Sequence, residues 1–236
     1  MILKSFGCSF IFGNDLADVV AHLGEPYAPP SKSTWPALLA ENFGYDYQCH
    51  ARPGSGNLRI LEKILTQASV STPDDLFVIG WSWIDRFDYT ITLTGTAHLY
   101  DIAGDNVWHT VMPVDTSNTA KIYYKDLHSE FRDKFTTLIN IKTAIDVLNQ
   151  KNISFVMTYI DDLIFEDRWN TNAAIAELQN YIRPHMTTFQ GLSFLDWSKQ
   201  QGFAISDTLH PLESAHRAGF EIIKSYNLTA LSRKQL

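Results

Sequence analysis

Apolar runs of strand length alternate along the chain with stretches of helical period, the pattern of an α/β protein whose parallel sheet is covered on both faces. Five strands are expected, at 2–6, 45–49, 76–80, 153–159 and 192–195, the middle ones apolar enough to be buried on both sides. Helices fill the gaps. Thr34 is expected to cap a helix through Trp35, Pro36, Leu38 and Leu39, with Gly44 as its stop. A second helix is expected from Asn57 to Ala68, where Leu58, Leu61, Ile64 and Leu65 fall at the spacing of a buried face. Phe131, Phe135, Leu138, Ile141, Ile145 and Leu148 carry the same period through a longer helix, and 173–182 and 214–226 complete the set.

One segment breaks the rhythm. Between Asp85 and Lys125, Phe87, Tyr89, Ile91 and Leu93 alternate with polar residues, Gly95 and a short run to Tyr100 follow, and a Gly104 to Asn106 turn precedes Val107 and Trp108. This reads as a β-rich insertion that walls or lids a cleft, the plainer alternative being a hairpin over an edge strand. No repeat or low-complexity tract marks a boundary, so residues 1–236 are read as one domain.

Composition narrows the picture further. An apolar share of 45% and a charged share of 19% fit a folded chain with a sizeable core. The net charge of −7, with Lys and Arg scattered, argues against nucleic acid and anionic lipid as partners. No run is long enough for a membrane span and no secretory signal opens the chain, so a cytoplasmic location is expected. Cys8 and Cys49 are too few for a disulfide scaffold, and the histidines lack paired ligand spacing, so neither a metal nor another cofactor is expected.

Two places can carry chemistry. After the first strand the chain reads Phe6-Gly7-Cys8-Ser9, which sets Ser9 at a strand's carboxyl end, where open parallel sheets place their ligand crevice. A serine after a glycine is on its own only a turn residue. Far along the chain stands Asp207-Thr208-Leu209-His210-Pro211. An Asp three residues before a His can accept from Nδ1, fix the tautomer and leave Nε2 as base for a serine hydroxyl. The alternative makes Asp207 a helix cap and His210 a solvated loop residue. His216, on the last helix, is read as exposed or satisfied and is left out of the site.

Together, Gly7-Cys8-Ser9, the stretch Ala51-Arg52-Pro53-Gly54-Ser55-Gly56-Asn57 and the closing Asp207-Thr208-Leu209-His210-Pro211 resemble the SGNH hydrolases, or GDSL-type esterases and lipases. The similarity runs from residue 5 to about 223 outside the insertion, and the run from Ser33 to Ala40 is similar to the helix after the nucleophile loop in relatives that include phage and marine bacterial ones. The resemblance implies Ser9 as nucleophile, His210 as base and Asp207 as orienting acid. It implies an oxyanion hole from the Ser9 backbone N–H, Gly56 and a third-block donor, with Gly54 as neighbour. Two departures stand out: Ser82 occupies the place of the family's Asn, and Cys8 that of the usual Asp before the serine.

In the flavodoxin-like, three-layer α/β/α order 2-1-3-4-5 the carboxyl ends of the first three strands adjoin, which brings Ser9, Gly56 and Ser82 to one switch point. Gly54, Asn57, Trp81 and Trp83 are the expected substrate contacts, although aromatics beside a sheet are more often core. The expected function is a serine esterase acting on a small-molecule or glycan ester, foremost O-acetyl groups on a carbohydrate. The alternatives are a weakened binding module for glycan or protein, possible in a phage particle, and a lipid or acyl-thioester hydrolase.

Overall fold

The structure, a computed structural model, describes residues 1–20, 28–91 and 108–226. Its strands are β1 (Ile2–Phe6), β2 (Asp46–Cys49), β3 (Leu76–Trp81), β4 (Phe87–Thr90), β5 (Trp108–Val111) and β6 (Ser154–Tyr159). Four of them form a parallel sheet in the order β2-β1-β3-β6, while β4 and β5 pair with each other in antiparallel fashion. Leu3 lies beside Tyr47 on one side and Leu76 on the other, and Ile79 lies between Phe6 and Met157. The helices are α1 (Ser9–Phe12), α2 (Trp35–Phe43), α3 (Asn57–Val70), α4 (Asn118–Ile122), α5 (Glu130–Gln150), α6 (Ala173–Ile182), α7 (Phe194–Gln200) and α8 (Glu213–Ser225).

The two-residue period of the strands sorts the core into two faces. Phe6, Phe77, Ile79 and Trp81 pack against α3, α5 and α6 through Ile60, Ile64, Leu138, Ile145 and Ile175. Leu3, Leu76, Val78 and Val156 point the other way, onto α2, α7 and α8 through Trp35, Leu39, Trp197 and Ile223. Each such fully buried Ile, Leu or Phe stabilises the fold by roughly 1.5–3 kcal/mol. The helix stops follow local chemistry: Gly44 ends α2 at a φ of 67° with its N–H on the carbonyls of Ala40 and Glu41. Thr34 occupies the N-cap position of α2 but makes no side-chain capping bond, whereas Ser129 caps α5 by accepting from the Arg132 N–H.

The expected fifth strand at 192–195 is corrected. Ser193 accepts from the Asp196 N–H at 3.2 Å and donates to the Asp196 carboxylate at 2.6 Å, so Phe194 and Leu195 open α7 instead of extending. Among the described residues, the fifth position of the sheet is held by a single parallel bridge of Met186 to Met157. Within the insertion β4 carries the expected alternation and pairs with β5, but beyond them Ser117 caps α4 and a π-helical turn continues over Tyr123–Leu127. Leu93, Gly95, Tyr100, the Gly104 to Asn106 turn and Val107 lie outside the described residues.

Candidate active site

Immediately after β1 the chain must turn hard against β3, and glycine makes that possible. A Cβ on Gly7 would sit 2.6 Å from Ile11 Cγ1 and 2.9 Å from the Gly80 carbonyl, and one on Gly80 would sit 2.7 Å from Ile11 Cγ1. With both absent, α1 lies down on the end of β3. Cys8 occupies its N-cap position and is 1% exposed in the core. Ser9 is the first residue of the turn, so its N–H is among those no helical carbonyl reaches. Gly13 ends the turn at a φ of 87°, and the chain doubles back through Asp15, itself in the left-handed region at a φ of 67°.

The other half of the site arrives from the far end of the chain. Ser206 to His210 close a tight loop in which the Ser206 N–H donates to the His210 carbonyl at 2.9 Å and the His210 N–H to Ser206 Oγ at 3.1 Å. His210 Nε2 lies 2.8 Å from Ser9 Oγ, with the serine 5% and the histidine 9% exposed. Phe10 meets the imidazole edge-on at 5.2 Å and Trp83 at 5.5 Å, giving the pair an apolar flank.

His210 Nδ1 is 2.7 Å from Asp15 Oδ2, not from Asp207. Asp207 is exposed and has no hydrogen bond to the imidazole. The reason lies in the alternation of the loop: Ser206 donates to Asp15 at 2.7 Å, Thr208 also donates to it, and Asp207 falls between them. Those hydroxyls, Thr208 foremost and then Ser206, hold the Asp15 carboxyl down at about 2, so it stays ionised. An ionised Asp15 keeps the proton on Nδ1 and leaves Nε2 to accept from Ser9. Glu213, in the first turn of α8, accepts from the Ala17 N–H at 2.7 Å and ties this loop to the final helix.

The expected oxyanion donors fare unequally. The Gly56 N–H donates to Asp88 Oδ1 at 3.0 Å, the same carboxylate accepts from the Arg59 N–H at 2.9 Å, and Thr110 donates to it at 2.6 Å. Asp88, carried in on β4, thus caps α3, and the Gly56 donor is committed to it. Burial pushes the Asp88 carboxyl above its ordinary range. Ser82 is fully buried, and its Oγ has no hydrogen-bond partner among the described residues. Gly54 turns at a φ of 80° with open space where a Cβ would be.

Two expected substrate contacts are corrected. Trp81 is 0% exposed in the core beneath α3 and α5, because it follows Ile79 on the same inward face of β3. Asn57 is buried as a clamp: its Oδ1 accepts from the Ser82 N–H at 2.7 Å, and its Nδ2 donates to the Ser82 carbonyl at 3.1 Å and to Thr137 Oγ1 at 3.2 Å. Trp83 remains at the site, packed on Phe10 with the Arg86 guanidinium 4.6 Å over its ring. His216 is buried and satisfied, its Nδ1 accepting from the Trp35 N–H at 3.2 Å. Asp15, Ser206 and Thr208 escaped the sequence reading. The Gly13-Asn14-Asp15 turn, which sends a carboxylate back toward Ser9, was the available signal.

A doubly wound parallel sheet with a Ser-His-Asp chain at the carboxyl end of its first strand defines a class of fold and site. The chain shares this fold with a member of the lipolytic protein G-D-S-L family from Veillonella parvula, at 12% identity and a TM-score of 0.51 over 96% of this chain and 98% of that one. The psychrotrophic esterase EstA from Pseudoalteromonas aligns at 10% identity over 98% of both chains, with a TM-score of 0.49. The acetyl xylan esterase Est2A from Butyrivibrio proteoclasticus aligns at 12% identity over 98% of this chain and 64% of its own, also with a TM-score of 0.49. No family model and no curated protein matches the sequence. At such identities the likeness establishes the architecture, and on that level the resemblance read from the three sequence blocks holds. No helix among the described residues is long and apolar enough to cross a membrane.

Proposed function

We propose that the protein is a serine esterase in which Ser9 is the nucleophile, His210 the general base and Asp15 the orienting acid. The observation that carries this reading is the unbroken hydrogen-bonded chain from Ser9 Oγ through both nitrogens of His210 to the ionised Asp15. Ser9 Oγ attacks the ester carbonyl carbon as its proton passes to Nε2, and Asp15 stabilises the imidazolium that forms. The Ser9 N–H faces the developing oxyanion from the start of α1, with Ser82 Oγ as the proposed side-chain donor. Collapse expels the alcohol, which takes the proton from His210, and a water activated by the same histidine releases the acid and regenerates Ser9.

The near-burial of both reacting groups favours a short acyl chain, and an O-acetyl group on a carbohydrate is the substrate we propose. A second reading, a binding module with little turnover, draws on the Gly56 N–H already occupied by Asp88, since loss of one oxyanion donor can lower turnover by about 10²-fold or more. The deciding experiment is turnover of p-nitrophenyl acetate together with fluorophosphonate labelling. Wild type should react and Ser9→Ala should lose both signals; equal rates in the two proteins would end the serine mechanism.

A further inference from the structure

The carboxylate that faces His210 draws its support from the histidine's loop and not from its own. Asp15 stands on a left-handed turn with its side chain 33% exposed. Among the described residues, the hydrogen bonds to its carboxylate come from Ser206, Thr208 and His210, and all of them meet one oxygen, Oδ2.

The loop that supplies those donors is held by its own backbone. Ile205 and Pro211 form an antiparallel bridge, the Ser206 N–H donates to the His210 carbonyl at 2.9 Å, and the Leu209 N–H donates to the Ser206 carbonyl at 3.0 Å. Leu209 turns the chain at a φ of 68°, where side chains other than glycine are rarely found. At 52% exposed, its side chain is not driven there by packing. What the turn achieves is to return the chain to His210 with the imidazole and both hydroxyls converging on Asp15.

Thr208 does more than donate to Asp15, because its Oγ1 also lies 2.8 Å from His210 Nδ1. With its proton given to the carboxylate, that oxygen offers a lone pair to the Nδ1–H, and the ring is held in a fork of two acceptors. Ser206 closes the other side, donating to Asp15 at 2.7 Å and accepting from the His210 N–H at 3.1 Å.

We propose that Ser206 and Thr208 are positioning residues whose hydroxyls hold the Asp15 carboxylate against His210 Nδ1, fixing the ring's orientation and the pH range in which it serves as base. Their effect on rate rests on the esterase reading, whereas the clamp itself does not require turnover. Without the hydroxyls the imidazole alone restrains a partly exposed carboxylate, which regains rotamers and contact with water. The pairing that favours imidazolium then weakens, and His210 gives up its proton at lower pH. Hydroxyls that merely shared out the carboxylate's charge would have the opposite effect, since their removal would strengthen the pair. The other charged groups around the ring are common to parent and variant. His216, on α8, is lowered to about 3 and stays neutral above pH 5. Glu213 accepts from the Ala17 N–H, Asp18 from Ser31 and the Lys32 N–H, and Asp207 is exposed.

The test is NMR titration of the His210 ring in Ser9→Ala protein, alone and combined with Thr208→Val, Ser206→Ala, both, or Thr208→Ser. Thr208→Val should lower the His210 midpoint by about half a pH unit or more, the two changes together should lower it further, and Thr208→Ser should keep the parent value. With Ser9 intact, the acid limb of kcat/KM on p-nitrophenyl acetate should move the same way, with kcat down about tenfold or more in the double variant and KM within about twofold. An unmoved or raised midpoint in Thr208→Val, or a fall that Thr208→Ser repeats, would overturn the proposal. Should Ser206→Ala fail to fold by circular dichroism, Thr208→Val, which exchanges an exposed hydroxyl for a methyl, carries the test. A lowered midpoint in a protein whose wild type shows no turnover removes the esterase and leaves the clamp, and turnover with an unmoved midpoint does the reverse.

Discussion

His216 gives the fold a dependence on acid that can be worked out in advance. Its ring is 1% exposed, packed 4.8 Å from Phe194, and its Nδ1 accepts from the Trp35 N–H at the start of α2. Burial, with a smaller contribution from His210 and against an opposing one from Asp18, lowers its pKa from 6.5 to about 3. Protonation would also turn the Nδ1 acceptor into a donor facing another donor. The unfolded chain takes up this proton as pH falls through 6.5 and the folded chain does not, so stability present above 6.5 is lost on acidification, and the loss levels off below about 3. At 1.36 kcal/mol per pH unit between those values, lowering pH from 7 to 5 removes about 2 kcal/mol through this one residue. Asp85, Asp88 and Asp161 are all pushed upward by burial and act in the opposite sense, so the total pH profile does not isolate the effect. Urea melts of wild type and His216→Asn at pH 7 and pH 5 do isolate it, because Asn offers an amide oxygen near the place of Nδ1 and does not titrate. Wild type should lose about 2 kcal/mol more than the variant between the two conditions. Parallel losses in both proteins would show that His216 takes up its proton in the folded state, and the argument from burial would fail.

Asp15→Asn should lower turnover by roughly 10²- to 10⁴-fold with the fold intact, while Asp207→Asn leaves it within about twofold; the reverse ranking of the two rates would restore Asp207 as the acid. Because the Thr208 and Ser206 hydroxyls hold the Asp15 carboxyl at about 2, that charge is lost only as pH falls through 2, and NMR titration of Thr208→Val with Ser206→Ala should find the value raised. Asp88→Ala strips the acceptor from the Gly56 and Arg59 N–H groups and should cost about 1–3 kcal/mol in urea melts, an unchanged midpoint arguing against its capping role. Gly80→Ala places a methyl 2.7 Å from Ile11 Cγ1 and should displace α1, so esterase activity should fall by more than the shift in thermal midpoint accounts for.

The strands and long helices were legible because each carries a period that burial enforces. The region over 173–182 was read at the bounds the structure gives, and β1 likewise. The fifth strand was misread because four apolar-rich residues suit a strand and a buried helix end equally, and the Ser193 and Asp196 exchange that decides between them looks like ordinary loop composition. Ser9 and His210 could be found from local motifs. Asp15 could not be preferred over Asp207 by spacing, since an Asp three residues from a His satisfies the pattern on paper. Only the alternation of Ser206 and Thr208 toward Asp15 shows that the intervening side chain cannot face the same way. Asn57 and Trp81 were placed in the cleft for want of the register that turns both inward.

Ser9 and Asp15 sit six residues apart on one loop, while His210 lies 201 positions from Ser9. The proposed nucleophile and its acid are therefore made together, and the imidazole follows 195 positions after Asp15. Until then a growing chain holds both oxygens without the imidazole, and docking of the 206–210 loop joins the three. On the proposed roles, reactivity is in this way withheld until the 206–210 loop has docked against Ser9, which makes labelling of Ser9 a direct report of that docking.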